Sequence, residues 1–138
     1  RSQSYKVISK GSKADITNLE EIEQAINALH KEMEYIDLAI VCSGTGEINA
    51  TLDYAQERPT IDTNVKGRTF VIDTFYNVFE QQGSGHLVAI TSVGGMRGEP
   101  MAPAYSASKA YQINYMKPYV RRLTKVEYKL QLLILDQD

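Results

Sequence analysis

Apolar and polar positions along this chain switch between two periods, and the switches mark out its elements. "YKVISK", residues 5–10, reads as a short strand. From Ile16 to Met33 the apolar residues Leu19, Ile22, Ile26, Leu29 and Met33 recur at helical spacing, with Thr17 and Glu20 placed to form a capping box. "IDLAIVCS", residues 36–43, is an unbroken apolar run, the pattern of a strand covered on both faces. A long helix is expected from about Pro59 to Gln82, closed by the glycines at Gly83 and Gly85. "HLVAITS", residues 86–92, is the next buried strand, and a further helix follows from about Pro103 to Lys125, interrupted or kinked at Pro118. "YKLQLLILD", residues 128–136, closes the chain as a strand. Four strands with three crossovers imply an α/β fold with a parallel sheet and right-handed connections.

Composition narrows the function classes. A chain of 138 residues is about one domain long and can bury a real core. A net charge of −2 leaves no basic footprint for nucleic acid and no polybasic patch for an anionic membrane. The longest apolar runs, such as "LQLLIL", fall far short of the ~20 residues a membrane span needs. The single cysteine, Cys42, suits a reducing compartment such as the cytoplasm and reads as a small core residue. No metal site is expected. The chain begins at Arg1, with neither an initiator Met nor a signal peptide, so an upstream segment is expected.

In parallel α/β sheets ligands bind beyond the carboxyl ends of the strands. Those ends carry "CSGTG" and "TSVGG", small and glycine-rich turns that a ligand can approach closely. Tyr105 and Lys109 follow in "AYSASKAYQ", one helical turn apart. With nine Tyr and nine Lys in the chain, chance alone supplies roughly 0.6 Tyr-x-x-x-Lys matches, so the spacing carries little without its context. Read singly, each residue has a plain structural role. Ser92 could cap the turn after its strand, Asn64 could hydrogen-bond its own helix, and Asp15 could sit against a helix dipole. Tyr105 and Lys109 could be a stacked surface pair.

Read together, these residues resemble the short-chain dehydrogenase/reductase family. "ADIT" is similar to that family's acidic adenine-contacting turn, "VCSG" stands where it has Asn-Asn-Ala-Gly, and "DTNVKG" supplies the helix asparagine. "GSGHLVAITSVGG" matches the strand ending in the catalytic serine, and "YSASK" the Tyr-x-x-x-Lys signature, thirteen positions after Ser92. The resemblance runs from about Tyr5 to Lys125 and implies an incomplete, Rossmann-like, doubly wound parallel sheet forming one partial domain over residues 1–138. It implies an NAD- or NADP-dependent oxidoreductase acting on an alcohol or carbonyl, and a homodimer or homotetramer built on the two long helices. Catalytic roles fall on Asn64, Ser92, Tyr105 and Lys109. Cofactor contacts fall on Asp15, Ile16, Cys42, Ser43, Gly44, Tyr105 and Lys109.

The chemistry joins these types. Carbonyl reduction needs a hydride and a proton for the developing alkoxide. A phenol ordinarily titrates near ~10, and an adjacent ammonium stabilises the phenolate. Lys109 is placed to do this for Tyr105, which becomes the general acid in reduction and the base in oxidation. By resemblance, Lys109 also holds the nicotinamide ribose, Ser92 holds the substrate oxygen, and Asn64 holds a water linking Lys109 to bulk.

The chain also departs from the family. No Gly-x-x-x-Gly-x-Gly turn is present, nor the second strand after which NAD and NADP are distinguished, and no Pro-Gly turn follows "YKLQLLILD". In the family's strand order, 3-2-1-4-5-6-7, "YKVISK" would be third and "IDLAIVCS" fourth, about 14 Å apart without the two strands between. Missing residues are the expected explanation. Two alternatives stand beside the enzyme reading: a non-catalytic, pseudo-enzyme-like assembly module, and a nucleotide-sugar epimerase or dehydratase on a related fold.

Overall fold

The computed structural model describes residues 11–122 and 128–135. The strand expected at residues 5–10 lies outside them. The elements in chain order are α1 (Leu19–Met33), β1 (Leu38–Val41), α2 (Tyr54–Ile61), a π-helical turn (Asp62–Gly67), α3 (Arg68–Gln82), β2 (Gly85–Ser92), a short 3₁₀ turn (Val93–Gly95), α4 (Pro103–Arg122) and β3 (Tyr128–Leu135). The three strands are parallel in the order β1-β2-β3, with Leu38 opposite His86 and Gly85 opposite Tyr128 at their starts. This is the expected incomplete α/β architecture, each crossover being helical as parallel pairing requires.

The core lies on one face of the sheet. Ala39 and Val41 of β1 sit beside Leu87 and Ala89 of β2, and all four are buried. Ile26 of α1, Ile72, Val78 and Phe79 of α3, and Met116 and Tyr119 of α4 close over them. Each such fully buried side chain contributes about 1.5–3 kcal/mol of transfer free energy. The apolar run at 36–43 is not covered on both faces: Leu38 and Ile40 are 48% and 55% exposed, alternating with their buried neighbours. The run is apolar on both faces, but the described helices shield only one.

Local chemistry moves several element ends from their expected places. The cap of α1 is Asn18, one residue later than Thr17, its Oδ1 accepting from Glu21 N at 3.3 Å; the Asn18 amide donates to Asp15 O, so the Thr17/Glu20 box does not form. Thr17 instead donates its amide and hydroxyl to Asp15 Oδ1, each at 2.8 Å. The long helix starts at Tyr54, not Pro59, because Asp53 caps it by accepting from Ala55 N at 2.9 Å. Pro59 lies inside the helix, and three to eight residues later the backbone widens into the π turn that carries Asn64. Such turns disturb the regular ladder and concentrate at functional sites. Gly83 ends α3 in the left-handed conformation (φ 78°) that favours glycine. α4 runs through Pro118 to Arg122, so Pro118 does not terminate it.

α3 and α4 lie side by side and join through phenols. Asp73 accepts from Tyr115 Oη at 2.8 Å and from Tyr119 Oη, and the two phenol oxygens lie 2.9 Å apart. Tyr76 meets Tyr119 edge-on at 5.2 Å, and Tyr111 stacks on Tyr115 at 5.3 Å. Much of the aromatic excess on these helices is therefore met within one chain. Phe79 is also internal, 2% exposed against the Gly85 backbone, whereas Ile61 is 39% exposed. Burial pushes the Tyr115 phenol up to about 12, the Tyr119 hydrogen bond opposing and Asp73 adding to it, and burial followed by Asp73 pushes Tyr119 upward as well. These neutral phenols stabilise the fold fully below the ordinary tyrosine value near ~10. That contribution is lost as pH rises from there toward about 12. Denaturant midpoints should fall across that window in the wild type and fall less steeply in Tyr115→Phe; equal slopes would contradict the coupling.

Candidate active site

The carboxyl ends of β1 and β2 open onto a cleft of about 440 Å³ lined by Gly44, Gly46, Ile48, Ser92, Tyr105 and Lys109, among others. Each wall is fixed by its own element. β2 ends at Ser92, whose hydroxyl accepts from Gly94 N at 3.1 Å. The capping role is thus real, and it consumes an acceptor only; the Ser92 proton has no acceptor among the described residues. A Cβ built on Gly94 would lie 3.3 Å from Tyr105 Cε1 and 3.4 Å from Ser92 Oγ, so the serine and the Tyr105 ring both approach one backbone position.

α4 supplies the opposite wall through a stripe that changes character along its length. Tyr105, Ser108, Lys109 and Gln112 face inward near its start, and Met116 and Tyr119 further on. Lys109 is 7% exposed, yet its ammonium has no hydrogen-bonded or ion-paired partner among the described residues. It lies 5.3 Å from the centre of the Tyr105 ring. Burial first, and the Arg68 charge second, hold its titration below the usual lysine range. Burying an unpaired charge is costly, so such a group is poised to take a ligand.

Asn64 is fully buried and occupied by protein. Its Oδ1 accepts from Thr45 N at 2.8 Å, and its Nδ2 donates to Thr45 O at 2.6 Å and Ser108 Oγ at 2.9 Å. Its main-chain carbonyl accepts Gln112 Nε2 at 2.9 Å. The amide therefore ties the loop after β1 to α4. Both amide protons are used within the protein, so a relay water at Asn64 would have to donate to one of its oxygens.

Of the expected cofactor contacts, Cys42 and Gly44 line the cleft with Tyr105 and Lys109. Cys42 is exposed, not a core residue, because it stands just past the end of β1. Ser43 is half-buried behind that wall, its hydroxyl unpartnered. Asp15 and Ile16 are not part of the cleft lining. They form the turn before α1, where the Ile16 carbonyl presses on Gly67 so closely that a Cβ there would come within 2.3 Å. The Asp15 carboxylate is held below its usual range by the Thr17 amide and hydroxyl.

The sequence reading passed over Arg68, Gln112, Asn49 and Glu57. Gln112 joins Thr91 of β2 (Thr91 Oγ1 to Oε1, 3.2 Å) to Asn64, and its signal was a polar residue three positions after Lys109 on the inward stripe. Asn49, 2% exposed, donates to Glu57 Oε1, while Glu57 Oε2 accepts from Ala104 N at 3.0 Å. That link reaches the first turn of α4 one residue before Tyr105. Nothing in the local pattern announces it.

Gly46 shows how closely the loop after β1 approaches the phenol. A Cβ at position 46 would lie 2.4 Å from Tyr105 Cδ2 and 3.1 Å from Tyr105 Cβ, so both the ring and its stem would have to shift. Gly46→Ala in the complete protein is expected to reduce kcat about ten- to a hundredfold, because misplacing a reacting group by about 1 Å has that effect. Unchanged kcat would show that the ring position is not critical.

Residues 3–127 match the family model described as short chain dehydrogenase. An uncharacterized oxidoreductase of Mycobacterium tuberculosis is 38% identical over 100 residues, covering 70% of this chain and 39% of that protein. One from Myxococcus xanthus is 34% identical over 105 residues, covering 75% and 42%. Among solved structures, ElxO with NADP bound superposes with a TM-score of 0.83 at 20% identity, covering 89% of this chain and 51% of that one. Levodione reductase gives 0.83 at 21% identity, covering 89% and 49%. The chain belongs to the short-chain dehydrogenase/reductase family. It spans about half or less of the length of these relatives.

Proposed function

We propose that, in the complete protein, this chain supplies the catalytic part of an NAD- or NADP-dependent oxidoreductase acting on an alcohol or carbonyl. The observation that carries the reading is the buried Lys109 beside Tyr105, its ammonium without a hydrogen-bonded or ion-paired partner among the described residues, in a cleft that Ser92 also lines. A nicotinamide nucleotide suits the cleft: its lining at Gly44 and Gly46 is bare backbone, and the Lys109 ammonium, without a hydrogen-bonded partner among the described residues, suits ribose hydroxyls. A Cβ at Gly44 would come within 3.0 Å of Lys109 Nζ and fill that space. Bound there, the nicotinamide supplies or accepts the hydride. Tyr105 gives its phenolic proton to the carbonyl oxygen in reduction and recovers it in oxidation. Ser92 donates its proton as a hydrogen bond to the same oxygen and fixes it beside Tyr105. Lys109 holds the nucleotide and favours negative charge on the phenol. Asn64 acts through Thr45 and Ser108, keeping the two walls in register.

Residues 1–138 form part of one domain in this reading, and the protein is cytoplasmic. No described helix is long and apolar enough to cross a membrane. The test is nicotinamide absorbance in the complete protein with a panel of aldehydes, ketones and alcohols: turnover with at least one supports the reading, and none with either cofactor contradicts it. Assembly as a homodimer or homotetramer through α3 and α4 belongs to the same reading. The variant to use is Tyr111→Glu, at a residue 37% exposed on α4. Light scattering should show an oligomer in the wild type and a smaller species in the variant; a wild-type monomer would end that part.

A further inference from the structure

Beneath the cleft lies a buried cation to which the scheme above gives no part. Arg68 is fully buried, and no carboxylate among the described residues pairs with it. Its guanidinium donates instead to strand-end carbonyls: Nη1 to Ser43 O at 2.7 Å, and Nη2 to Val41 O at 2.9 Å and to Ile90 O. Nε is left without a partner. The site lies where β1 and β2 separate, since their pairing ends at Val41 opposite Ala89. Beyond that point one chain continues from Ser43 into Gly44 and Thr45, and the other from Ile90 into Thr91 and Ser92. Both walls of the cleft therefore begin at carbonyls that Arg68 holds. A rigid planar fork can bridge three such acceptors; a lysine ammonium on a flexible stem cannot hold the same spacing.

The charge matters as well as the fork. An apolar residue could fill this volume without the cost of burying a cation. Here the cation lies close enough to Lys109 to act on its titration. The other titratable or charged groups around Lys109 are Tyr105 on its own helix, and Cys42 and Glu47 from the loop after β1; β2 contributes the hydroxyls of Thr91 and Ser92. Two cations thus share this end of the sheet, and neither has a carboxylate partner among the described residues.

We propose that Arg68 is a positioning residue for this site: its guanidinium sets the separation of the two cleft walls and supplies fixed positive charge beneath Lys109. The proposal rests on the reading of the cleft as a nicotinamide-nucleotide site. Its test uses the complete protein with Arg68→Met and Arg68→Lys. Competitive acetylation with acetic anhydride at a series of pH values, with the Lys109 peptide quantified by mass spectrometry, gives the titration midpoint of Lys109 without any ligand. Arg68→Met should raise that midpoint by about half a unit or more, since a nearby like charge is removed, and Arg68→Lys should leave it near the wild-type value. Amide hydrogen exchange at residues 43–45 and 90–92 should rise severalfold in both variants. A folded Arg68→Met protein with an unchanged Lys109 midpoint, or unchanged exchange at both walls, would overturn the proposal. Should Arg68→Met fail to fold, Arg68→Gln, neutral but still a planar donor, carries the same two readings. NADPH and NADH titrated into the wild type by their own fluorescence keep the questions apart. Absence of binding would count against the nucleotide reading, while the Lys109 midpoint still decides the role of Arg68.

Discussion

Tyr105→Phe in the complete protein is expected to lower kcat about a hundred- to ten-thousandfold while cofactor affinity changes by no more than a few-fold. The substitution removes only the hydroxyl. The ring keeps its contacts with the Gly46 and Gly94 backbones and its place 5.3 Å from the Lys109 ammonium. General acid–base catalysis by a positioned side chain contributes about that range of rate. Thermal unfolding should be almost unmoved, because no described residue depends on the Tyr105 hydroxyl for a hydrogen bond. The measurement is steady-state turnover beside fluorescence titration of the reduced cofactor. A kcat near wild type would remove Tyr105 from the mechanism.

Lys109→Ala should do more, lowering turnover and weakening cofactor binding together. Its ammonium has no described hydrogen-bonded or ion-paired partner and faces the cleft, so the binding it provides is to a ligand. A charged hydrogen bond of this type is worth about 1.5–3 kcal/mol, or about ten- to a hundredfold in Kd. Stability should not fall in proportion. Truncation relieves a buried cation whose charge is already disfavoured by burial and by Arg68. Equal cofactor affinity in variant and wild type would show that Lys109 serves the phenol alone.

Much of this site was legible because it depends on local order in the chain. Ser92 ends an apolar run, Asn64 sits in a helix, and Tyr105 and Lys109 share one helical face; the fold needs only to be α/β for these to converge. The strands at 86–92 and 128–135 were readable for the same reason. What escaped the sequence was contact at a distance. Arg68 looks like an ordinary charged helix residue until β1 and β2 are seen to part above it. The Asn49–Glu57–Ala104 link spans three segments without any periodic signature. Asp53 was missed as the start of α2 because Pro59 offered a stronger punctuation mark, yet the helix runs through that proline. Cys42 was misread because an apolar run was equated with burial on both faces.

The central claim is that this cleft holds a nicotinamide nucleotide through Lys109. Isothermal titration of the complete protein with NAD, NADH, NADP and NADPH, repeated on Lys109→Ala, tests it most directly. The account expects micromolar or tighter binding of at least one of the four, weakened about tenfold or more by the substitution. Failure of all four to bind, or binding indifferent to Lys109, would contradict it.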